Sequence, residues 1–517
     1  SSNQPFSRSP FSIALVVLPI RMAHFLARCV LALWQGAHLA AAARVGRLRK
    51  ASSAKAGLPT ATRLSHTSAP AGSGWGSALP PLGTFGASAG QQGSPGTEVS
   101  SRQMKALLTQ QVRPWGTVQG PMASSAAPAQ ERHPSAALKL LADQFGTEYM
   151  GPVGVGSRRG PKGEVLPEAV LQVIFDTGSA DLWVASDLCT SWPCTRKDRP
   201  RFNHTRSETF LMPKDEVNVG TVYGSGQIHG VVGTDDVHLG PFVARKQAIG
   251  LITEEKGALF SMIPLDGILG LGFASMAIDS NLSPLFDNLV KQQALPSPEF
   301  AFYLHPDVSV GGAVLWGSID ERLFEGPLVW YPVVEEGWWA LEVTAVRIGN
   351  RTFEAVDGRT RQGGGQSGKL VRPQLIVDSG TTFLTATGEL WTVMQQAVRQ
   401  MRCSEVGALP PFVYTVKDSQ GDARNISVPP EEYMVKVPDQ SGRRDLCAPG
   451  IMEFGEQFGP ALAGRTPLIL GEIFMRHHFT VFRRSPDAGG RAEVGIARSA
   501  KGPGAQAFLR EAAGAGQ

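Results

Sequence analysis

The first 140 residues contain only 2 acidic residues, and neither end of the chain carries an apolar run of membrane length. The charge-free runs Ser9–Ile20 and Cys29–Ala43 are shorter than the roughly 20 residues that a membrane-spanning helix requires. The residues after Ala500 are polar and offer no anchor. We therefore expect no stable membrane span.

Cysteine is also scarce, with 5 in 517 residues, and Cys29 falls in an apolar run near the start. The order of the other four allows three pairings, and the local one joins Cys189 to Cys194 and Cys403 to Cys447. These bonds would stabilise the fold by roughly 2 and 4 kcal/mol and would require an oxidising compartment. Four unpaired thiols are the alternative. A zinc site is disfavoured because no second Cys or His pair stands at ligand spacing.

The first part of the chain has the pattern of a targeting segment followed by a prosegment. Within residues 1–43, Met22–Arg28 is typical of the start of a signal peptide, and Cys29–Ala43 of its apolar part and cleavage site, so Met22 is the expected start. Residues 44–140 are rich in Ser, Ala, Gly and Pro, a composition that cannot bury a core. Within them, Gln103–Gln111 has helical spacing.

Charge is distributed unevenly between the two parts of the chain. Residues 1–140 hold 14 Lys and Arg against 2 acidic residues, whereas the remainder holds 35 basic and 43 acidic residues. A basic arm of this kind is typical of a solvated or nucleic-acid-binding segment. The opposite charges favour another interpretation, in which the leader binds the acidic body and inhibits it. We expect no nucleic-acid partner.

From about Leu138 the sequence consists of short β-branched and aromatic runs separated by Gly, Pro and Asp, which predicts an all-β fold. Two segments are expected to be helical, namely Ser283–Gln293, with Pro284 in its first turn, and Gly388–Met401. The body therefore contains many strands and few helices.

An internal repeat predicts the architecture. Val173–Ser179 recurs as Leu375–Thr381, each an apolar strand ending in Asp, a hydroxyl residue, Gly and a hydroxyl residue. A second apolar strand, ending Ile-Leu-Gly, follows 94 residues after the first Asp and 93 after the second. Matched motifs at matched spacing indicate two homologous β lobes, 141–325 and 326–498, followed by a polar tail, 499–517.

A two-fold relationship between the lobes would bring Asp176 and Asp378 together at the interface. Two adjacent carboxyl groups cannot both ionise, so the pair shares a proton. The charged carboxylate can then accept a proton from water while the neutral one donates to a peptide carbonyl. This chemistry hydrolyses a peptide without a metal, a cofactor or a covalent intermediate.

The neighbours of each Asp suit this role. Gly178 and Gly380 let the backbone approach the carboxylates and the substrate. Hydroxyl groups can donate to the outer carboxylate oxygens or join the two loops across the interface. The first role is expected for Ser179 and Thr381, and the second for Thr177 and Ser379.

Five segments resemble the signature motifs of the pepsin family of eukaryotic aspartic proteases, which includes pepsin, cathepsin D and the plasmepsins, and they occur in the family's order. They are Asp176–Val184, Tyr223–Gly226, Asp266–Gly272, Asp378–Thr382 and Ile469–Phe482. The resemblance covers about residues 145–495. It implies a bilobal pepsin-like fold and a monomeric aspartic endopeptidase, made as a zymogen, that acts on extended polypeptides.

The resemblance also implies a flap and two disulfides. The flap would be the hairpin 220–230, in which Tyr223 covers the peptide and bonds toward Trp183, and Gly224 and Ser225 meet the substrate backbone. Family members carry a short disulfide loop after the first motif and a longer one in the second lobe. The pairs Cys189–Cys194 and Cys403–Cys447 stand in those positions.

Three features depart from the family pattern. Ser157–Val170 is inserted where the family has a short turn, and we interpret it as a surface loop, a processing site or an unspliced intron. Glu472 replaces the usual Asp, and Ala180 a usual Ser. Neither replacement changes a catalytic carboxylate, so we expect modulated activity.

A catalytically silent peptide-binding protein on the same fold is the main alternative, although such a protein would be expected to lose an Asp or the flap Tyr. The leader and Phe474–Phe482 are similar to those of apicomplexan aspartic proteases; a digestive or cathepsin D-like role is the second interpretation. Secretion, or an acidic vesicle, is the expected location. Four N-glycosylation sequons agree with it, at Asn203, Asn281, Asn350 and Asn425.

Overall fold

The computed structural model describes residues 136–514, except for 144–145, 198, 215–217, 224–225, 258–259, 261–264, 280–281, 357–367, 439–444, 455–464 and 486–489. The predicted targeting region, the predicted helix Gln103–Gln111 and most of the predicted prosegment lie outside these residues. No helix among the described residues is long and apolar enough to cross a membrane.

Strands dominate the described chain, as the short β-branched runs predict. The first part contains β1 Ala136–Ala142, β2 Tyr149–Val155, β3 Arg158–Arg159, β4 Val165–Leu166, β5 Ala169–Asp176, β6 Leu182–Ala185, β7 Asn218–Tyr223, β8 Gly226–Leu239, β9 Phe242–Lys256, β10 Gly267–Gly270, β11 Glu299–Leu304 and β12 Gly312–Trp316. The second part contains β13 Phe324–Pro332, β14 Ala340–Ile348, β15 Arg351–Val356, β16 Lys369–Val371, β17 Pro373–Val377, β18 Leu384–Ala386, β19 Met401–Arg402, β20 Phe412–Lys417, β21 Ala423–Val428, β22 Met434–Pro438, β23 Asp445–Pro449, β24 Ile451–Glu453, β25 Thr466–Leu470, β26 His478–Arg483 and β27 Glu493–Ser499.

Helices are short and few among the described residues. They are α1 Leu285–Lys291, α2 Gly388–Ala397, α3 Pro430–Tyr433, α4 Glu472–Met475 and α5 Pro503–Gly514. The first two match the predicted helices but are shorter. Pro284 precedes α1 with extended backbone, and α2 ends where Val398 turns extended.

The two lobes repeat one pattern of strand pairing. In the first lobe β5 is parallel to β10, β10 is antiparallel to β6, and β6 is parallel to β9. In the second lobe β17 is parallel to β25, β25 is antiparallel to β18, and β18 is parallel to β24. The internal repeat thus corresponds to two copies of one arrangement, and the predicted bilobal all-β fold is confirmed.

A set of six neighbouring strands, in the order β13-β27-β26-β11-β12-β1, includes strands from both halves of the chain. β1 begins at Ala136 and pairs with β12 from Ala136 to Leu140, so five residues assigned by sequence to the prosegment belong to this sheet. The expected lobe boundary at 325/326 lies inside β13. The predicted boundaries at 140/141 and 325/326 therefore both fall within a continuous strand, β1 and β13 respectively.

The segment predicted as a polar tail instead ends in the helix α5. Four apolar residues of α5 recur at helical spacing: Ala505, Phe508, Leu509 and Ala512. Their side chains are buried against β11, β12 and β26 of the six neighbouring strands. The Arg322 guanidinium lies 5.2 Å from the Phe508 ring. One face of the helix is apolar, a feature that the sequence prediction of a polar tail did not include.

The inserted segment after Gly156 forms a hairpin. Arg158 pairs with Leu166 and Arg159 with Val165, and a tight turn joins β3 to β4. The main-chain N–H of Arg159 donates to Glu208 at 3.0 Å. Of the three interpretations of this insertion, the structure agrees with a surface loop.

Candidate active site

Asp176 and Asp378 end corresponding strands of the two lobes. Asp176 is the last residue of β5, where it pairs with Gly270, and Asp378 directly follows Val377 of β17. The two side chains are largely shielded from solvent, since their residues are 8% and 7% exposed. Equivalent strand ends therefore bring the two carboxyl groups to the interface of the lobes.

Each carboxylate accepts the same pair of hydrogen bonds. The N–H of Gly178 donates to Asp176 Oδ1 at 2.8 Å, and the Ser179 hydroxyl donates to Oδ2. In the second lobe, the N–H of Gly380 donates to Asp378 Oδ1 at 2.9 Å, and Thr381 Oγ1 donates to Oδ2 at 2.6 Å. Fixed donors of this kind orient both carboxyl groups and favour their charged forms.

Thr177 and Ser379 bind each other's loops across the interface. The N–H of Thr177 donates to Ser379 Oγ at 3.1 Å, and the N–H of Ser379 donates to Thr177 Oγ1 at 2.9 Å. Their hydroxyl groups donate to carbonyl oxygens of the opposite lobe, at Val377 and Phe175. All four bonds are buried, so they fix the separation of the two loops.

Gly178 and Gly380 lie where a side chain would not fit. A Cβ atom on Gly178 would stand 2.7 Å from both carboxylate oxygens of Asp378, and one on Gly380 would overlap the carboxylate of Asp176. Each glycine therefore faces the aspartate of the other lobe. The close approach of the two loops depends on both.

Burial and the proximity of the second carboxyl group set the ionisation of the pair. Loss of solvent, followed by repulsion from Asp378, raises the pKa of Asp176 to about 7. Burial also raises the pKa of Asp378, and the donors on Thr381 and Gly380 oppose this shift. The pair therefore retains one proton in acidic solution, as general acid–base catalysis requires.

The expected flap is a hairpin of β7 and β8, in which Thr221 pairs with Ile228 and Tyr223 with Gly226. Its tip residues Gly224 and Ser225 lie outside the described residues, so their contacts with substrate stay predictions, as does the bond from Tyr223 to Trp183. Ile228 of the flap is buried.

Trp183 lies on β6 and is buried in an apolar cluster beneath the flap. Ile228 belongs to this cluster, together with Cys189 and Cys194, which form a disulfide. A second disulfide joins Cys403 to Cys447. The structure therefore contains both predicted disulfides. The disulfide Cys189–Cys194 lies in the same apolar cluster as Ile228 of the flap.

Behind Asp378 lies a group of carboxyl side chains that the sequence did not reveal. Glu472 is fully buried, its N–H donates to the carbonyl of Thr381, and its carboxylate lies 3.6 Å from Arg476. Burial, followed by repulsion from Glu472, raises the pKa of Glu148 well above its ordinary value. Burial likewise raises the pKa of Glu472. Glu148 stands 324 residues from Glu472, so no local pattern could have paired them.

The remaining sequence predictions concern the four glycosylation sequons and metal binding. Asn203 accepts hydrogen bonds from Thr205 at the start of a short 3-10 turn, Asn350 and Asn425 are exposed, and Asn281 lies outside the described residues. Within the described ranges, no three His, Cys, Asp or Glu side chains form a group that could hold a metal ion.

Comparison with known proteins matches residues 148–497 to the model of the family "Eukaryotic aspartyl protease". The chain is 32% identical over 377 residues to "Aspartic protease 3" of Toxoplasma gondii, an alignment that covers 70% of this chain and 52% of that protein. It is 30% identical to "Pepsin A" of Bos taurus, covering 69% of this chain and 86% of that protein. It is also 32% identical to "Pregnancy-associated glycoprotein 1" of Bos taurus, covering 68% and 81%.

Proposed function

Because the chain belongs to the eukaryotic aspartyl protease family, we propose that it is an active endopeptidase whose catalytic residues are Asp176 and Asp378. The observation that carries the proposal is the buried pair itself, with matching donors on each carboxyl group and a raised pKa for Asp176. A water molecule between the carboxyl groups would lose a proton to the charged one. The neutral one would donate its proton to the scissile carbonyl.

The substrate is an extended polypeptide bound between the lobes and under the β7–β8 flap, with apolar side chains favoured on both sides of the cut bond. We propose that Gly178, Gly380 and Thr381, which lie beside the two carboxyl groups, contact the bound peptide. A hairpin flap suits an extended peptide because backbone hydrogen bonds can form along the length of the peptide.

We propose that the protein is made as a zymogen in the secretory pathway, as a monomer, and acts in an acidic compartment or outside the cell. The two disulfides support an oxidising compartment. The basic leader and the acidic body support inhibition by the prosegment. If charge holds the leader in place, turnover by the uncleaved chain should rise with ionic strength, and insensitivity to salt would contradict this.

A catalytically silent peptide-binding protein stays a second candidate, because three of the relatives, all pregnancy-associated glycoproteins, have names that state no peptidase activity. Binding of a statine-containing peptide at acidic pH distinguishes an active endopeptidase from a silent peptide-binding protein. Statine mimics the tetrahedral transition state, so an active dyad should bind it at least about 100-fold more tightly than the matched substrate peptide.

The test uses calorimetry on the acid-treated chain and two Asp→Asn variants. Asp378→Asn should lose the statine affinity, whereas Asp307→Asn, a change on an exposed loop, should keep it. Absence of statine binding by the unmodified chain, with its leader removed, would favour the silent protein.

A further inference from the structure

Trp339 forms hydrogen bonds with both lobes and belongs to none of the motifs discussed above. It is fully buried and directly precedes β14. Its indole N–H donates to the carbonyl of Leu271 at 3.0 Å, and its own carbonyl accepts a hydrogen bond from the N–H of Val377 at 3.1 Å. Trp339 therefore contacts a segment of each lobe.

Both contacts lead directly to a catalytic aspartate. The N–H of Leu271 donates to the carbonyl of Asp176 at 2.7 Å, and Val377 is the residue before Asp378. A continuous series of backbone and indole hydrogen bonds thus runs from Asp176 through Leu271 and Trp339 to Val377. It crosses the lobe interface through Leu271 and Trp339, whereas the Thr177–Ser379 bonds join the two aspartate loops directly.

The indole has little freedom to move. Its ring centroid lies 4.7 Å from that of Phe273 and 5.1 Å from that of Phe482, and the Arg484 guanidinium lies 4.6 Å from the indole. Arg484 also donates to the carbonyl of Gly272 at 2.8 Å. Two donors of the second lobe therefore bind consecutive carbonyl groups of the first.

We propose that Trp339 is a positioning residue that sets the separation and orientation of the two catalytic carboxyl groups. The inference depends on the proposed peptidase function. Two carboxyl groups that share a proton interact strongly only while they stay close, because their coupling falls with distance. Loss of the indole donor leaves the buried Leu271 carbonyl unpaired and frees the loops to separate.

Trp339→Phe tests this proposal because it removes the indole N–H and keeps an aromatic ring. The chain offers a matched control in Trp316, which is also fully buried, with its ring centroid 6.1 Å from that of Phe175 on the Asp176 strand. Among the described residues, the indole N–H of Trp316 has no hydrogen-bond acceptor. Trp316→Phe therefore reports the loss of indole volume alone.

We expect Trp339→Phe to lower kcat about tenfold and KM to change less than about twofold, because the dyad rather than peptide binding is disturbed. Greater separation of the carboxyl groups weakens the repulsion that raises the pKa of Asp176. The alkaline limb of the kcat/KM profile should therefore move to lower pH. Trp316→Phe should leave kcat within about twofold and the limb unmoved.

Hydrogen–deuterium exchange adds a readout that does not require turnover. The amides of Leu271 and Val377 should exchange several-fold faster in Trp339→Phe than in Trp316→Phe. If Trp339→Phe fails to fold, Arg484→Lys replaces it in the experiment. This variant keeps the positive charge but cannot reproduce the planar guanidinium donors. It should show the same changes in amide exchange and in kcat, to a smaller extent.

The outcomes separate the two claims. Equal kcat, pH profile and exchange in the two Phe variants would overturn the role of Trp339 while the peptidase function stands. If the unmodified chain shows no turnover, the proposed function fails, and the exchange comparison still decides whether Trp339 links the aspartate loops.

Discussion

The main-chain N–H of Tyr149 donates to the Glu472 carboxylate at 3.1 Å in the buried interior. This contact joins β2 of the first lobe to α4 of the second. Because the N–H of Glu472 donates to the carbonyl of Thr381, whose hydroxyl binds Asp378, the contact lies directly behind the candidate catalytic site. The ionisation of Glu472 therefore affects both stability and the site.

The stability of the folded chain should fall as pH rises. Burial raises the pKa values of Glu148 and Glu472, so the folded state holds protons that the unfolded state releases above about pH 4.3, the ordinary pKa of Glu. Each such proton lowers the free energy of unfolding by up to about 1.4 kcal/mol per pH unit. Glu472→Gln imitates the protonated form and should melt at a higher temperature than the unmodified chain at pH 7, but not at pH 4.

Thermal unfolding from pH 4 to pH 8 measures this effect. Glu405→Gln, a change in an exposed pair with Arg402, serves as the control and should follow the unmodified chain. A Glu472→Gln curve that stays parallel to the unmodified curve would show that Glu472 is ionised in the folded state.

Gly178→Ala should lower the rate of peptide hydrolysis by about 100-fold or more. Its Cβ would stand 2.7 Å from the Asp378 carboxylate, so the loops must move apart. A misplacement of about 1 Å at reacting groups can cost about 100-fold in rate. Gly502→Ala, where a Cβ meets nothing within 4 Å, is the control for peptide hydrolysis assays. Equal rates for the two variants would show that the loops tolerate a side chain.

Thr177→Val should destabilise the protein by roughly 2 kcal/mol, since it leaves the buried N–H of Ser379 and the carbonyl of Val377 without partners. Thr344→Val removes a similar hydroxyl bond, to Thr415, from a partly buried strand away from the dyad, and should cost roughly 1 kcal/mol or less. Denaturant unfolding measures both. A smaller effect at Thr177 would mean that other contacts hold the lobes together.

Phe508→Asp should destabilise the chain by more than about 3 kcal/mol, because it places a charge in the apolar layer between α5 and the sheet. Gln506→Asp changes the exposed face of the same helix and should stay within about 0.5 kcal/mol of the unmodified chain. The same denaturant experiment applies. Equal stability of the two variants would show that α5 is not part of the folded core.

The sequence predicted the parts of the site that are local in the chain. Asp176, Gly178 and Ser179 form their hydrogen bonds within four residues, so the repeated motif was enough to predict their arrangement. The strand pairing that brings the two motifs together followed from the repeat. The family relationship and the bilobal fold are confirmed by the comparisons and by the strand order.

The sequence did not predict the contacts that depend on distant segments. Tyr149 meets Glu472 across 323 residues, and Trp339 meets Leu271 across 68. No periodicity or motif marks either pair, because each depends on how two lobes pack. The helix α5 was missed for another reason, since its apolar residues are separated by small and polar ones.

Hydrolysis of a quenched peptide with a Phe-Phe centre, scanned from pH 3 to pH 8 with the acid-treated chain, tests the proposed function most directly. We predict turnover at acidic pH that declines as pH passes about 7, where Asp176 loses the shared proton. Asp378→Ala should abolish it, and Asp307→Ala should not. No turnover at any pH after removal of the leader, or equal turnover in Asp378→Ala, would contradict the assignment of the dyad.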